Sequence, residues 1–243
     1  MTDKRGLLIE NFVENTFETT ASHFRTQLGD KILYPFGPPI FQTIIDQKFV
    51  DELITEGRKL TIKDNDHNFR LAGNLKKGRS YLYTNDFLIN KAEPYMMKHV
   101  ERFFEGLHQQ FGDNYTGIKN ILSLPTDRDR TRQGKMLLDS IWINFQKQFD
   151  FNPPHNHSGS LSFVIYCKVP DKIFTEQADS NTKQAGSIVF QYGERISKLS
   201  GKDFVVKPFE NLMFLFPSDL VHFVPSFWND EERISVSGNF IVV

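Results

Sequence analysis

Two histidines separated by one residue, His155-Asn156-His157, are the part of this sequence best suited to chemistry. On a strand, side chains two apart leave the same face, so both imidazoles can reach one metal ion. Pro153 and Pro154 stiffen the backbone just ahead of them. A third histidine, His222, follows the apolar run Leu212-Met213-Phe214-Leu215-Phe216 and the turn-forming Pro217-Ser218-Asp219. Val221 and Phe223 flank it, which predicts a sheltered, inward-facing ring. Further on stand Arg233 and Ser235, again two apart. A guanidinium donates through a planar fork that matches a carboxylate, and a hydroxyl beside it adds one more hydrogen bond. Taken alone, Arg233 reads first as an ion-pair partner of Glu231, Glu232 or another acid. His23, His67, His99 and His108 stand singly and read as structural or surface groups.

The elements that must position these groups are mostly strands. From Asp139 onward, runs rich in Val, Ile, Phe and Tyr alternate with polar or Gly/Pro punctuation. They predict eight strands, at 139–147, 154–158, 160–169, 186–191, 202–207, 211–216, 221–225 and 233–242. So many short strands in so short a stretch predict a double-sheet jelly roll. The first part of the chain predicts helices that cover one outer face of the sheets. One helix runs from Asp46, a candidate N-cap, to about Lys59, with Phe49, Val50, Leu53 and Ile54 on its apolar side. A second runs from Glu93 to Phe111, with Met96, Val100, Phe103, Phe104 and Leu107 in one stripe. Lys31 to Phe36 reads as extended, and Thr126 to Lys135 as a solvated loop of mixed charge. The connection 171–186 is poor in apolar anchors and reads as a mobile lid near the site. The whole is expected to be one domain, with 1–135 supporting a jelly-roll core at 136–243.

Composition removes several function classes. The chain has 243 residues, 29 Lys+Arg against 30 Asp+Glu, and a formal net charge of -1. A strong nucleic-acid binder carries a basic excess, and this chain has none overall. A single cysteine, Cys167, rules out an intrachain disulfide and a cysteine-built zinc site. No run is apolar enough for a membrane span, and Glu10, Asn11 and Glu14 interrupt any leader-like start. The expectation is a soluble, cytoplasmic protein (host cytoplasm if viral) without a membrane partner. Twenty-four phenylalanines predict an aromatic-rich core.

Taken in order, HxH, a set of strands, a lone histidine after an apolar strand and R-x-S on the last strand resemble the double-stranded β-helix of the Fe(II)/2-oxoglutarate-dependent oxygenases. The likeness is greatest to oxygenase-like proteins of phages and bacteria with a P-H-x-H core. Here that core is Pro154-His155-Asn156-His157, followed by Leu161-Ser162, Tyr166 and Val169-Pro170. Gly186-Ser187-Ile188-Val189-Phe190, Phe216-Pro217-Ser218 and the earlier Leu33-Tyr34-Pro35-Phe36-Gly37-Pro38-Pro39-Ile40 continue it.

The resemblance implies that His155, His157 and His222 hold Fe(II), and that Arg233 and Ser235 grip the distal carboxylate of 2-oxoglutarate. Asn144 and Tyr166, on neighbouring predicted strands, become further candidate contacts to this cosubstrate. The implied reaction oxidises 2-oxoglutarate to succinate and carbon dioxide and hydroxylates a C–H bond of a peptide side chain or small metabolite. One departure stands out: the family's usual carboxylate position holds His157. Three neutral imidazoles leave a divalent ion's charge at +2, where a carboxylate would lower it by one. Two alternatives therefore stay open here. One is an inactive jelly-roll binding or structural protein. The other is a cupin-like three-histidine metal protein that uses no 2-oxoglutarate, although Leu161 and Ser162 stand where such a site normally places a glutamate.

Overall fold

The computed structural model describes residues 30–33, 37–62, 72–76, 78–111, 136–176, 184–193 and 201–242. His23, His67, the run Thr126 to Lys135, most of 176–184 and part of the predicted 31–36 strand lie outside them.

Two antiparallel sheets face each other, as a jelly roll requires. The strands are β1 (Lys31–Leu33), β2 (Ile40–Ile44), β3 (Ser80–Leu82), β4 (Met136–Gln146), β5 (Asn152–His155), β6 (Leu161–Lys168), β7 (Ile188–Gln191), β8 (Asp203–Val206), β9 (Leu212–Pro217), β10 (Val221–Val224) and β11 (Arg233–Val242). The larger sheet runs β1-β2-β9-β6-β11-β4-β3 and the smaller β5-β10-β7-β8. The eight strands expected after residue 135 are β4 to β11, displaced by up to three residues at their ends. Two strands are additions. Ile40–Ile44 pairs with β9, and Ser80–Leu82 pairs with β4 at the sheet's other edge.

Helix α1 (Gln47–Ile62) and helix α2 (Glu93–Phe111) lie on the outer face of the larger sheet. Phe49, Val50 and Leu53 from α1 join Met96, Val100, Phe103 and Leu107 from α2 in one core. Their sheet partners include Phe163, Ile165, Cys167, Met213 and Leu215. The intervening residues Val164, Tyr166, Leu212, Phe214 and Phe216 point the other way, into the gap between the sheets. Strands β6 and β9 are thus apolar on both faces because helices cover one and a second sheet covers the other. Asp46 precedes α1 as expected, and its carboxylate accepts the Tyr95 hydroxyl at 2.8 Å, tying α1 to α2. A π-helical turn, Leu88–Ala92, leads into α2.

The connection expected to lack apolar anchors is anchored at its described ends. A short helix, α3 (Lys172–Thr175), buries Ile173 against Ala185 and Phe227. Glu176 follows and accepts the backbone amides of Trp228 and Asn229. No helix among the described residues is long and apolar enough to cross a membrane.

Candidate metal and cosubstrate site

His155 and His222 stand on the smaller sheet and are direct register partners across β5 and β10. His157 does not share their strand. Strand β5 ends at His155, three residues short of the predicted end at 158, so the alternation argument fails for the pair. The backbone amide of His157 instead donates to Ser218 O at 2.8 Å, in the turn between β9 and β10. Gly159 makes this possible: its φ is +109°, and a Cβ there would sit 2.7 Å from Phe240 O. Ser162 Oγ, hydrogen-bonded to Ser218 Oγ at 2.9 Å and Asn239 Oδ1 at 2.8 Å, holds that turn against the larger sheet. By this detour the third ring returns to the other two. The imidazole centroids are 4.4 Å apart for His155 and His222, 4.9 Å for His155 and His157, and 5.1 Å for His157 and His222. One ring nitrogen from each lies within 4.8 Å of the others, a group that could hold a metal ion.

Two of the rings have their tautomer set. His155 Nδ1–H donates to Pro153 O at 2.7 Å, and His222 Nδ1–H donates to Leu220 O at 2.9 Å. A carbonyl can only accept, so each Nε2 keeps its lone pair for a metal. Burial holds the imidazoles neutral. It pulls the His155 pKa down, and with His155 nearby it lowers His157 to about 4 and His222 to about 3.

The remaining candidates enter from the larger sheet. Strand β11 places Arg233 opposite Gln146 on β4, and Ser235 opposite Asn144 on β4 and Tyr166 on β6. Arg233, Ser235, Asn144 and Tyr166 line the same pocket as the three histidines, a volume of about 580 Å³ that includes its open mouth. Asn144 Oδ1 accepts the Ser80 hydroxyl at 2.7 Å. Neither acidic neighbour takes Arg233: Glu232 pairs with Arg58, and Glu231 with Lys172. The Arg233 guanidinium is 1% exposed and lies 5.0 Å from the Tyr166 ring centroid. Its Nη1 donates to Gln146 Oε1, while its Nε and the Tyr166 hydroxyl have no hydrogen-bond partner among the described residues. Among the described residues, no Asp or Glu lines the pocket. A buried cation with an unspent donor, beside an unspent hydroxyl and with no acid in reach, is a site shaped for an anion.

The pocket residues missed by sequence reasoning are Trp142, 5.7 Å from His157 ring to ring, and Asn152. Gln146, behind the pocket, was missed as well. The available signal was polar alternation within an apolar strand: Asn144 and Gln146 interrupt Ile141-Trp142-Ile143 and Phe145 at the spacing of Arg233 and Ser235.

Residues 140–239 match the model of a family described as putative 2OG-Fe(II) oxygenase. That stretch contains all three histidines, Arg233 and Ser235. The match thus covers the part of the chain that carries the site. The chain is similar in fold to a prolyl-4-hydroxylase of Pseudomonas putida, with a TM-score of 0.50 and 12% identity over 83% of this chain and 91% of the other. It is also similar to the viral collagen prolyl hydroxylase of Paramecium Bursaria Chlorella virus-1, determined with 2-oxoglutarate. There the TM-score is 0.45 at 12% identity, over 83% of this chain and 94% of the other. No match is found among curated proteins. The family match and the three-histidine group point to a 2-oxoglutarate-dependent enzyme that uses Fe(II), with 2-oxoglutarate as its small-molecule cosubstrate.

The neutral state of the histidines has a consequence for the metal-free protein. His99, a buried residue of α2, is lowered to about 4 by burial and then by Arg102, and so behaves like the site histidines. Each of these groups has a folded pKa below its unfolded value near 6.5. Above about pH 6.5 they are neutral in both states and contribute no pH dependence. As the pH falls from there towards 4, the unfolded chain takes up protons that the folded chain does not, and stability drops. Each histidine contributes a slope of at most about 1.4 kcal/mol per pH unit. Urea midpoints of metal-free protein should be flat from pH 8 to 7 and fall steadily between pH 6.5 and 4.5. A flat profile across the lower range would show that the rings are solvated.

Proposed function

We propose that His155, His157 and His222 hold the Fe(II), and that Arg233 and Ser235 grip the distal carboxylate of 2-oxoglutarate. The observation that carries this reading is the buried Arg233 guanidinium, which has no carboxylate partner and shares a pocket with three neutral imidazoles. With the metal bound, the site supplies dioxygen-dependent oxidation of 2-oxoglutarate to succinate and carbon dioxide, coupled to hydroxylation of a C–H bond. The chain's own residues set the geometry. The carbonyls of Pro153 and Leu220 fix the two tautomers. Ser235 limits rotation of the carboxylate held by Arg233. Tyr166 offers its unpartnered hydroxyl, and Asn144 its amide, to the cosubstrate. Trp142, Phe163, Ile188 and Val224 keep the pocket wall apolar and exclude water.

The primary substrate is a peptide side chain or a small metabolite. The even charge balance supports either over nucleic acid. The lone thiol, buried and pushed up to about 12, suits a reducing cytoplasm and takes no part in the chemistry. The test is anaerobic titration of purified protein with Fe(II) and then 2-oxoglutarate, followed by a succinate assay on admitting air. Ordered binding of both and succinate release are expected. Metal binding without 2-oxoglutarate binding would overturn the cosubstrate assignment and favour a three-histidine protein of other chemistry.

A further inference from the structure

A buried arginine is normally held by an acid. Arg233 is held by an amide: Gln146 Oε1 accepts from its Nη1, and both residues are 1% exposed. The pairing is built in by register, since the two are direct partners across β11 and β4. The amide's orientation is also fixed. An arginine has only donors, so Gln146 must turn its oxygen to it, and its Nε2 then faces Asn152 Oδ1 at 3.5 Å. Asn152 begins β5, the strand that carries His155, and lines the pocket. The nearest buried acid on this edge, Asp150, is already engaged: Arg79 donates to it, and so does the Lys147 amide at 2.9 Å.

Resting on the proposed function, we infer that Gln146 is the residue that makes the pocket select a 2-oxo acid with a second carboxylate. A neutral acceptor orients the guanidinium without cancelling its charge, so the full positive charge is left for the ligand. A glutamate in the same place would form the ion pair internally and set a negative charge beside the incoming distal carboxylate. Gln146 is thus a positioning residue that acts through Arg233.

The test compares the wild type, Gln146→Glu and Gln146→Met. Each is loaded with Fe(II) without oxygen and titrated calorimetrically with 2-oxoglutarate and with 2-oxobutyrate, which keeps the chelating head but lacks the distal carboxylate. Gln146→Glu should weaken 2-oxoglutarate binding about 100-fold. It should change 2-oxobutyrate binding by less than about threefold, because that ligand never meets Arg233. Gln146→Met removes the orienting hydrogen bond but adds no charge, and should cost 2-oxoglutarate roughly tenfold. Equal losses for both ligands in Gln146→Glu would show general damage to the pocket and overturn the inference. So would a 2-oxoglutarate affinity within about threefold of wild type. In either case a wild type that binds 2-oxoglutarate leaves the proposed function standing. A wild type that binds none overturns both.

Discussion

Arg233→Ala should weaken 2-oxoglutarate binding by about 3–5 kcal/mol, the usual cost of removing one member of a buried charged pair. Iron affinity should be unchanged, because Arg233 sits on the opposite sheet from His155 and His222 and offers no ligand atom. The same geometry predicts an opposite effect on stability. Without ligand, the guanidinium is buried against a neutral amide and the face of Tyr166, with its Nε unsatisfied. Burial already pulls its pKa down. Replacing it by methionine keeps the stem's volume and removes an uncompensated charge. The ligand-free Arg233→Met protein should therefore melt no lower than wild type. Saturating 2-oxoglutarate should raise the melting temperature of wild type but not of the variant. Thermal melts with and without ligand check both halves. A variant that binds 2-oxoglutarate normally, or that loses several degrees without ligand, would mean that Arg233 serves the fold and not the cosubstrate.

The contrast between β11 and the His155-Asn156-His157 segment shows what could be read from residue order alone. Arg233 and Ser235 open a long, apolar last strand, so a period of two alone fixes their common face. The two histidines have the same spacing, but their common direction has a different cause. Pro153 and Pro154 allow only a short strand, and Gly159 turns the chain back under Ser218. A tertiary hydrogen bond, not strand alternation, returns His157 to the cluster. Residue pattern alone does not encode such a bond. The two missed strands have a similar explanation. Ser80-Tyr81-Leu82 is too short to show periodicity, and it is a strand only because β4 offers an edge. The helices were the most legible elements, because α1 and α2 each carry one apolar stripe against a sheet face that is apolar for the same reason. Gln146 could be located by its polarity within β4, but its role depends on knowing which residue stands across from it.

His222→Ala should abolish stable iron binding, and it is the most severe of the three single histidine losses. His222 is the most buried of the three rings: it lies within 5.1 Å of both other imidazoles and packs against Phe216 at 4.9 Å. Its removal leaves two ligands and a cavity against an aromatic wall. Affinity should fall by well over the roughly 100-fold that loss of an outer-shell partner can cost. His157→Asp is expected to behave differently. The backbone there is held from outside the site, by Ser218 O and by the close approach of Gly159 to Phe240 O. The substituted side chain therefore starts from the same place. It brings a carboxylate, which lowers the site's charge by one and supplies a hard oxygen donor that suits a divalent iron. Iron content after anaerobic desalting should be near zero for His222→Ala and near wild type for His157→Asp. The bound state of the second variant should also be less attractive to anions, because the carboxylate offsets part of the metal's charge. Added azide should then compete less well for its open positions than in wild type. If His157→Ala keeps its iron with an unchanged melting temperature, the third ring is not a ligand. The cluster at β5 and β10 would then be a two-histidine site completed by solvent or by substrate.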